Sequence, residues 1–182
     1  METLEEIEKL NYITSLAEKG DLVSQRILGE YYESGEESEY WYKKAAKQGD
    51  AESQYMLGGN YIHKGETFHK EALYWLQMAA NQNYYMAQAE LGNLYYEGII
   101  VPQSYEKAVN YYEKCVDNII IDKDLILYRL AYCYYYGNGV KQSYEKSRFF
   151  LIESNNYNFL KKDCSNEQFK FPEYRDLLSI AF

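Results

Sequence analysis

The segment Gln103-Ser104-Tyr105-Glu106-Lys107 returns 39 positions later as Gln142-Ser143-Tyr144-Glu145-Lys146. Each copy follows a valine, Val101 or Val140, and before that an aromatic run closed by glycine, Tyr95-Tyr96-Glu97-Gly98 or Tyr135-Tyr136-Gly137. Self-similarity at such a period marks a repeat protein, because one unit of this size cannot bury its apolar face alone. Outward from this segment a looser landmark occurs four times: Leu28-Gly29 with Tyr32, Leu57-Gly58 with Tyr61, Leu91-Gly92 with Tyr95, and Leu130-Ala131 with Tyr134. A second landmark alternates with it, an aromatic residue followed by two small ones. It reads Trp41 with Ala45-Ala46, Trp75 with Ala79-Ala80, Tyr111 with Cys115-Val116, and weakly Phe150 with Ser154-Asn155.

The step from each aromatic to the next Leu is 16, 16 and then 19 residues. Tyr12 and Leu16-Ala17 stand in the same relation to Leu28, so the chain opens with half a unit. From Leu to the following aromatic the step varies from 13 to 20, which confines most of the variation to one loop. Fixed helices joined by variable loops are what stacked units require.

Each unit reads as two antiparallel helices. Leu, Gly and Tyr at i, i+1 and i+4 lie on one face of a 3.6-residue period. A glycine inside a helix costs about 1 kcal/mol against alanine, and the return expected for Gly29, Gly58 and Gly92 is close approach of a neighbouring helix. Ser38, Ala72, Ala108 and Ser147, each three residues before the second aromatic, supply the matching small face. The pattern predicts helices near residues 3–19, 21–34, 38–48, 50–64, 68–81, 84–97, 104–117, 122–136 and 143–154. Thr3 and Glu6 suit a capping box, and a further helix near 172–180 could start at Pro172. The tail from Asn156 to Phe182 breaks the pattern, and its Phe159, Leu160, Phe169, Phe171, Leu177 and Leu178 are expected to cap the last unit. The division is therefore residues 1–155 as the repeat array and 156–182 as a capping segment of the same domain.

Composition narrows the function classes. In 182 residues the formal net charge is −9, with 23 Tyr and only 2 Pro. Acidity disfavours nucleic acid and anionic membranes as partners, since both are polyanions. An aromatic content of 18% argues against disorder. No stretch approaches the length of a spanning helix. The opening Met1-Glu2-Thr3-Leu4-Glu5-Glu6 lacks the cationic and apolar regions of a secretory signal, so a cytoplasmic location is expected. Three cysteines, Cys115, Cys133 and Cys164, form no disulfide framework or zinc spacing and fit a reducing compartment.

Catalytic signals are weak. His63 and His69 are six apart across a predicted glycine turn, which is not the i, i+4 spacing of a helical metal pair. With only these two histidines, no Ser-His or Cys-His arrangement has support. Cys115 occupies the slot of Ala45 and Ala79, so it reads as a buried, inert thiol. No phosphate-cradling glycine loop is present. No cofactor and no metal are expected.

The landmarks resemble the Sel-1-like repeat family, relatives of the tetratricopeptide repeat. Ala17-Glu18-Lys19-Gly20, Leu28-Gly29 with Tyr32, and Trp41-Tyr42-Lys43-Lys44-Ala45-Ala46-Lys47-Gln48-Gly49 carry the likeness in the first unit. Gly137-Asn138-Gly139-Val140 carries it in the fourth, which departs at Ala131, Phe150 and Ser154-Asn155. The resemblance spans residues 11 to about 155. It implies an all-α fold, a right-handed α-solenoid of antiparallel helix pairs, with about four repeats, an N-terminal half repeat and a C-terminal cap. It also implies a concave face that binds another protein or a peptide. Some cysteine-rich members have been proposed as penicillin-binding enzymes, but their paired cysteines are absent here.

Carried over by position, that face presents Val23, Arg26, Glu30 and Glu33 from the first unit. The second gives Glu52, Tyr55, Ile62 and His63, and the third Met86, Asn93, Tyr96 and Glu97. The fourth gives Leu125, Tyr128, Tyr132, Tyr135 and Tyr136. Phenol rings bury large area at low entropic cost and keep a hydroxyl to hydrogen-bond, while carboxylates beside them favour Arg or Lys from a partner. Tyr32, Tyr61, Tyr95 and Tyr134 are expected to fill inter-helix space instead, and an AT-rich gene would raise Tyr without selection for binding. For the fourth-unit tyrosines surface binding and packing both stay open. The acidic run Glu33, Glu36, Glu37 and Glu39 reads as a solvated loop.

Family members act as adaptors in bacterial signalling, secretion and host interaction, and some are immunity proteins. The expectation is a non-enzymatic module that binds one basic protein, in the sharper reading a cognate bacterial toxin that it neutralises in an immunity role. A general scaffold is the first alternative and a β-lactamase-like hydrolase a weaker one.

Overall fold

A computed structural model of the chain describes residues 4–33 and 35–154. Among them are nine α-helices and no strand: α1 Leu4–Glu18, α2 Leu22–Tyr31, α3 Glu36–Lys47, α4 Ala51–Lys64, α5 His69–Asn81, α6 Tyr85–Glu97, α7 Tyr105–Cys115, α8 Lys123–Tyr136 and α9 Tyr144–Glu153. Every helix expected between residues 3 and 154 is present. The bounds agree to within three residues, the largest difference being α2, which stops at Tyr31, and a 3-10 turn, Glu66–Phe68, precedes α5. Thr3, the expected helix near 172–180 and the expected capping role of residues 156–182 lie outside the described residues. The chain divides inside α6 into two compact units, residues 1–88 and residues from 89 onward.

In the first unit α2 and α4 start on carboxylates. Asp21 accepts from the Ser24 amide at 2.8 Å, and Asp50 accepts from the Ser53 amide at 2.9 Å. Such a cap contributes about 1 kcal/mol. Successive helices pack as neighbours from α1 to α5, around a core that includes Ala17, Leu28, Trp41, Tyr42, Leu57, Tyr61 and Leu76. The small-residue stripe works as close approach. A methyl group added at Gly58 would sit 2.5 Å from Leu76 Cγ and 3.2 Å from the Ala72 carbonyl, and Gly29 lies equally tight against the Tyr42 ring. Ser38 Oγ donates to the Gly29 carbonyl at 2.7 Å, which ties the facing backbone down.

A glutamine ladder crosses the same unit. Gln25, Gln54 and Gln88, each three residues before a landmark Leu, donate their side-chain amides to Ala17, Ala46 and Ala80 carbonyls at 2.9, 3.0 and 3.3 Å. Gln48 and Gln82 then donate to the side-chain oxygens of Gln25 and Gln54, both at 2.8 Å. Three of these amides are buried, and each finds its partner in a helix-end carbonyl that also accepts a backbone amide, from Gly20, Gly49 or Asn83.

The second unit repeats its own connector. Ser104 and Ser143 cap α7 and α9 by accepting from Lys107 and Lys146 amides at 3.4 and 3.3 Å. Gln103 donates to the Tyr96 carbonyl at 2.8 Å, and Gln142 to the Tyr135 carbonyl at 2.6 Å. The sequence repeat is thus one loop built twice. Gly139 within it has φ +71°, and an added Cβ would meet the Glu106 amide nitrogen at 2.2 Å. The corresponding Ile100 also takes positive φ, 54°, which is strained for a β-branched residue. Gly92 packs on the Tyr112 ring, and Ser147 Oγ donates to the Ala131 carbonyl at 2.9 Å.

Candidate functional site

The centre of the second unit is Arg129, a residue the sequence reading passed over. It is 6% exposed in the middle of α8. Its Nη1 donates to Asn93 Oδ1 at 2.7 Å and to Tyr112 Oη at 3.0 Å, Nη2 pairs with Glu97, and the guanidinium lies 4.6 Å from the Tyr96 ring centre. Tyr112 donates in turn to Asn93 Oδ1 at 2.8 Å. Burial opposes the Arg129 charge, but Tyr112 and Glu97 outweigh it and its pKa is raised. Burial likewise pushes the Tyr96 and Tyr112 phenols up, against the pull of Arg129. Removing one partner of such a buried charge is strongly unfavourable, so Asn93, Tyr96 and Glu97 are fixed as one group.

From this group a run of phenol rings leads to the surface of the second unit. Tyr96 meets Tyr105 edge-on at 5.2 Å. Tyr132 meets Tyr136 at 4.8 Å, Tyr136 meets Tyr135 at 4.8 Å, and Tyr135 meets Tyr144 at 5.3 Å. Burial raises the Tyr132 pKa, followed by the nearby phenol of Tyr105, while a hydrogen bond with Asn138 lowers it. Tyr136 and Tyr144 are 38% and 51% exposed, and Tyr105, Tyr132 and Tyr135 are half-buried. Gln103 and Gln142 donate to the Tyr105 and Tyr144 hydroxyls at 3.2 and 3.1 Å. The rings are therefore held in place before any partner arrives, which lowers the entropic cost of binding.

Tyr128 corrects the expectation for α8. It is buried, because six successive residues from Ile126 to Ala131 are buried and the helix has no open face there. Tyr128 is a packing ring and not part of a presented surface. Tyr61 and Tyr134 are buried as expected, Tyr95 is half-buried on the Tyr111 ring, and Tyr32 differs, being 38% exposed at the end of α2.

In the first unit Arg26 pairs with Glu52. Burial opposes the Arg26 charge, while Glu52, Asp50 and Glu30 raise its pKa, so Arg26, Glu30 and Glu52 share one patch. Tyr42 beneath it is pushed up to about 12 by burial and then by Glu30 and Glu52. Tyr55 packs on Tyr84 at 5.6 Å, and burial followed by Glu52 pushes Tyr84 up to about 12. Glu33 and His63 are exposed and form no ion pair among the described residues. Ile62 and Met86 are half-buried, and Val23 is exposed.

The remaining chemistry is quiet. Cys115 and Cys133 are buried, and burial pushes their thiols up to about 11 and about 12. Neutral thiols at physiological pH are poor nucleophiles and poor metal ligands. Among the described residues no group of three His, Cys, Asp or Glu gathers at metal-binding distance, and no helix is long and apolar enough to cross a membrane.

Paired helices with small-residue contacts and a recurring loop define a helical-repeat protein built for contact with other proteins. The chain belongs to the Sel1 repeat family, which matches residues 23–50, 51–84, 86–115 and 127–154. It is similar to a sel1-like repeat-containing protein of Acanthamoeba polyphaga mimivirus, 28% identical over 142 residues, covering 74% of this chain and 25% of that one. Two crystal structures share its fold. One is a protective antigen present in uropathogenic Escherichia coli strains that displays an SLR fold (TM-score 0.71, 27% identity, 96% of this chain and 39% of that chain). The other is a Sel1 repeat protein from Oxalobacter formigenes (TM-score 0.65, 26% identity, 86% of this chain and 48% of that chain). The chain thus spans a quarter of the curated relative and under half of either solved neighbour. The fold class is the α-solenoid of these repeats, and the chain is a Sel1-repeat protein-interaction module.

Proposed function

We propose that this chain holds a basic partner protein, without catalysing a reaction on it, through the tyrosine run of the second unit. The observation that carries the reading is the ring contact made by each of Tyr96, Tyr105, Tyr132, Tyr135, Tyr136 and Tyr144, all six joined to another tyrosine of the set at about the contact distance of paired aromatics. Preordered phenols with an exposed edge are the residue type that supplies most of the energy of tight interfaces. The acidic patch of Glu30, Glu52 and Arg26, with Tyr55, is a second contact region of the first unit, with Glu33 and His63 as exposed accessories. A net charge of −9 favours basic partners and speeds their capture.

Within that class the sharper reading is an immunity role in the cytoplasm, in which the chain sequesters a basic toxin such as a nuclease. Fast capture and tight holding are what neutralisation needs. The test is co-expression with the product of the neighbouring gene. The expected result is a toxic neighbour made harmless by this chain, with a stoichiometric complex that Y132A/Y136A/Y144A weakens by at least about tenfold, or ~1.4 kcal/mol. A neighbour that is harmless alone and forms no complex refutes the immunity role. Several partners of modest affinity on the same tyrosines would support a scaffold instead.

A further inference from the structure

The connection from α7 to α8 is unlike the other helix connections of its kind. Ala46 to Asp50 and Ala80 to Tyr84 are short polar turns, Lys47-Gln48-Gly49 and Asn81-Gln82-Asn83. After Cys115 the chain instead runs Val116-Asp117-Asn118-Ile119-Ile120-Ile121-Asp122, the source of the longer 19-residue step. The loop is anchored, with the Asn118 and Ile119 amides donating to the Cys115 carbonyl at 2.9 and 3.0 Å and Ile119 buried at 6%. The two residues beyond the anchor are thrown outward: Ile120 is 87% exposed and Ile121 66%. Nothing in the packing of α7 on α8 requires them. An insertion in one repeat of an array maps to a surface loop, which is where such proteins acquire binding determinants.

Beside these isoleucines lies an open cavity of about 470 Å³. Ile119, Ile120 and Leu125 form its apolar wall, and Asp117, Asp122 and Asp124 its polar edge, with Lys123 as the one cation in the lining. Three carboxylates against one ammonium leave the rim negative. A second copy of this chain would bring the same three carboxylates against them, so self-association here is opposed by like charge. Nucleic acid and other polyanions are repelled for the same reason. A segment with an apolar side chain flanked by Lys or Arg satisfies both halves of the surface, with the apolar group against the isoleucines and the cations on the carboxylates.

We propose that the α7–α8 loop is a docking site for a cationic amphipathic segment of a partner protein. The site is separate in its residues from the tyrosine run, and it stands whether or not that run binds.

The test uses the full chain and short labelled peptides followed by fluorescence anisotropy. The probe is a Leu/Lys peptide of amphipathic helical spacing, and the controls are a Ser/Lys peptide of equal charge and a Leu/Glu peptide. Expected is saturable one-site binding of Leu/Lys that exceeds Ser/Lys by about tenfold, with none of Leu/Glu. I120S should abolish the preference for Leu/Lys over Ser/Lys. D117N/D122N/D124N should weaken Leu/Lys by about tenfold and flatten its salt dependence, whereas E36Q/E37Q, in an exposed acidic stretch elsewhere, should change it by less than about twofold. Circular dichroism should be unchanged in I120S because the side chain is almost wholly exposed. The proposal is overturned if Leu/Lys fails to bind or binds no better than Ser/Lys. It is equally overturned if E36Q/E37Q costs as much as the loop variants, or if sedimentation shows a dimer that I120S dissolves. Y132A/Y136A/Y144A should leave Leu/Lys binding intact, which separates this site from the tyrosine run.

Discussion

Gly58 and Gly59 are adjacent in the middle of α4, and alanine should act on them with opposite sign. At Gly59 no atom lies within 4 Å of an added Cβ, so the substitution contributes only helix propensity, about 1 kcal/mol of stabilisation. In a protein of this size that raises Tm by about 3 °C. At Gly58 the same propensity gain applies, but the new methyl would sit 2.5 and 2.7 Å from Leu76 Cγ and Cδ2 and 3.2 Å from the Ala72 carbonyl. Leu76 is fully buried and its branch point cannot swing away, so α4 and α5 must part. Overpacking of this kind costs about 3 kcal/mol at the upper end of its range, leaving a net loss of about 2 kcal/mol after the propensity gain. The two variants should therefore differ by about 3 kcal/mol, read by urea unfolding with tryptophan fluorescence and by thermal melts. In the G58A background, Leu76→Ala should cost less than it does alone, because the cavity it opens is the space the new methyl needs. If G58A and G59A move stability in the same direction by similar amounts, close helix approach is not why a glycine follows the landmark Leu in the first three units.

Three other outcomes follow from the packing and the charges. Tyr42 and Tyr84 have pKa values pushed up to about 12 from the ordinary 10. The neutral phenol is the form the fold favours, so their contribution is complete below pH 10 and lost as pH rises from 10 towards 12. Unfolding followed at a series of alkaline pH values should show this decline, and it would be absent if the rings were solvated. Arg129→Ala should destabilise the second unit by about 3 kcal/mol, at the low end of the range for a buried pair because Glu97, 39% exposed, regains water; a variant as stable as the parent in urea would refute the network. Ile100→Gly should stabilise by up to about 1 kcal/mol by relieving a positive φ, with a raised melting temperature as the readout, whereas Gly139→Ala should be destabilising because its Cβ would collide with the Tyr105–Glu106 backbone.

Much of this architecture was legible because helix pairing imposes itself on residue size. A small residue beside each landmark Leu and a large one on the facing helix, as in Gly58 with Leu76 or Gly92 with Tyr112, leave a spacing that survives changes in loop length. The glutamine ladder was not read from the sequence: Gln25, Gln54 and Gln88 each stand three residues before a landmark Leu, but a polar residue at a core position draws no notice until its carbonyl partner is seen. Arg129 was not legible. Its partners Asn93 and Glu97 lie more than 30 residues earlier, and no local spacing signals a contact made across two helices. Tyr128 was misplaced for a related reason: a one-sided helical pattern was assumed for α8, whereas packing closes around it on several sides. The candidate face was in this sense half legible, with Asn93, Tyr96 and Glu97 truly gathered, Tyr132, Tyr135 and Tyr136 truly in contact, and the cation that organises the first three unforeseen.

The glutamine ladder carries a consequence for how such a chain could lengthen. Each glutamine-to-carbonyl rung joins a helix to the one before it across the same eight residues, so it is carried whole by any segment that keeps that junction. A tandem duplication of residues 51–84 would give the new Gln54 the carbonyl of the old Ala80, give the new Gln82 its own Gln54, and leave Gln88 bonded to the new Ala80. The inserted module would arrive with every amide already matched, so growth by gene duplication on this side of the molecule requires no compensating change. In the fourth repeat Leu127 stands three residues before Leu130, in the place of the glutamine, and an insertion there would inherit no such ready-made joint.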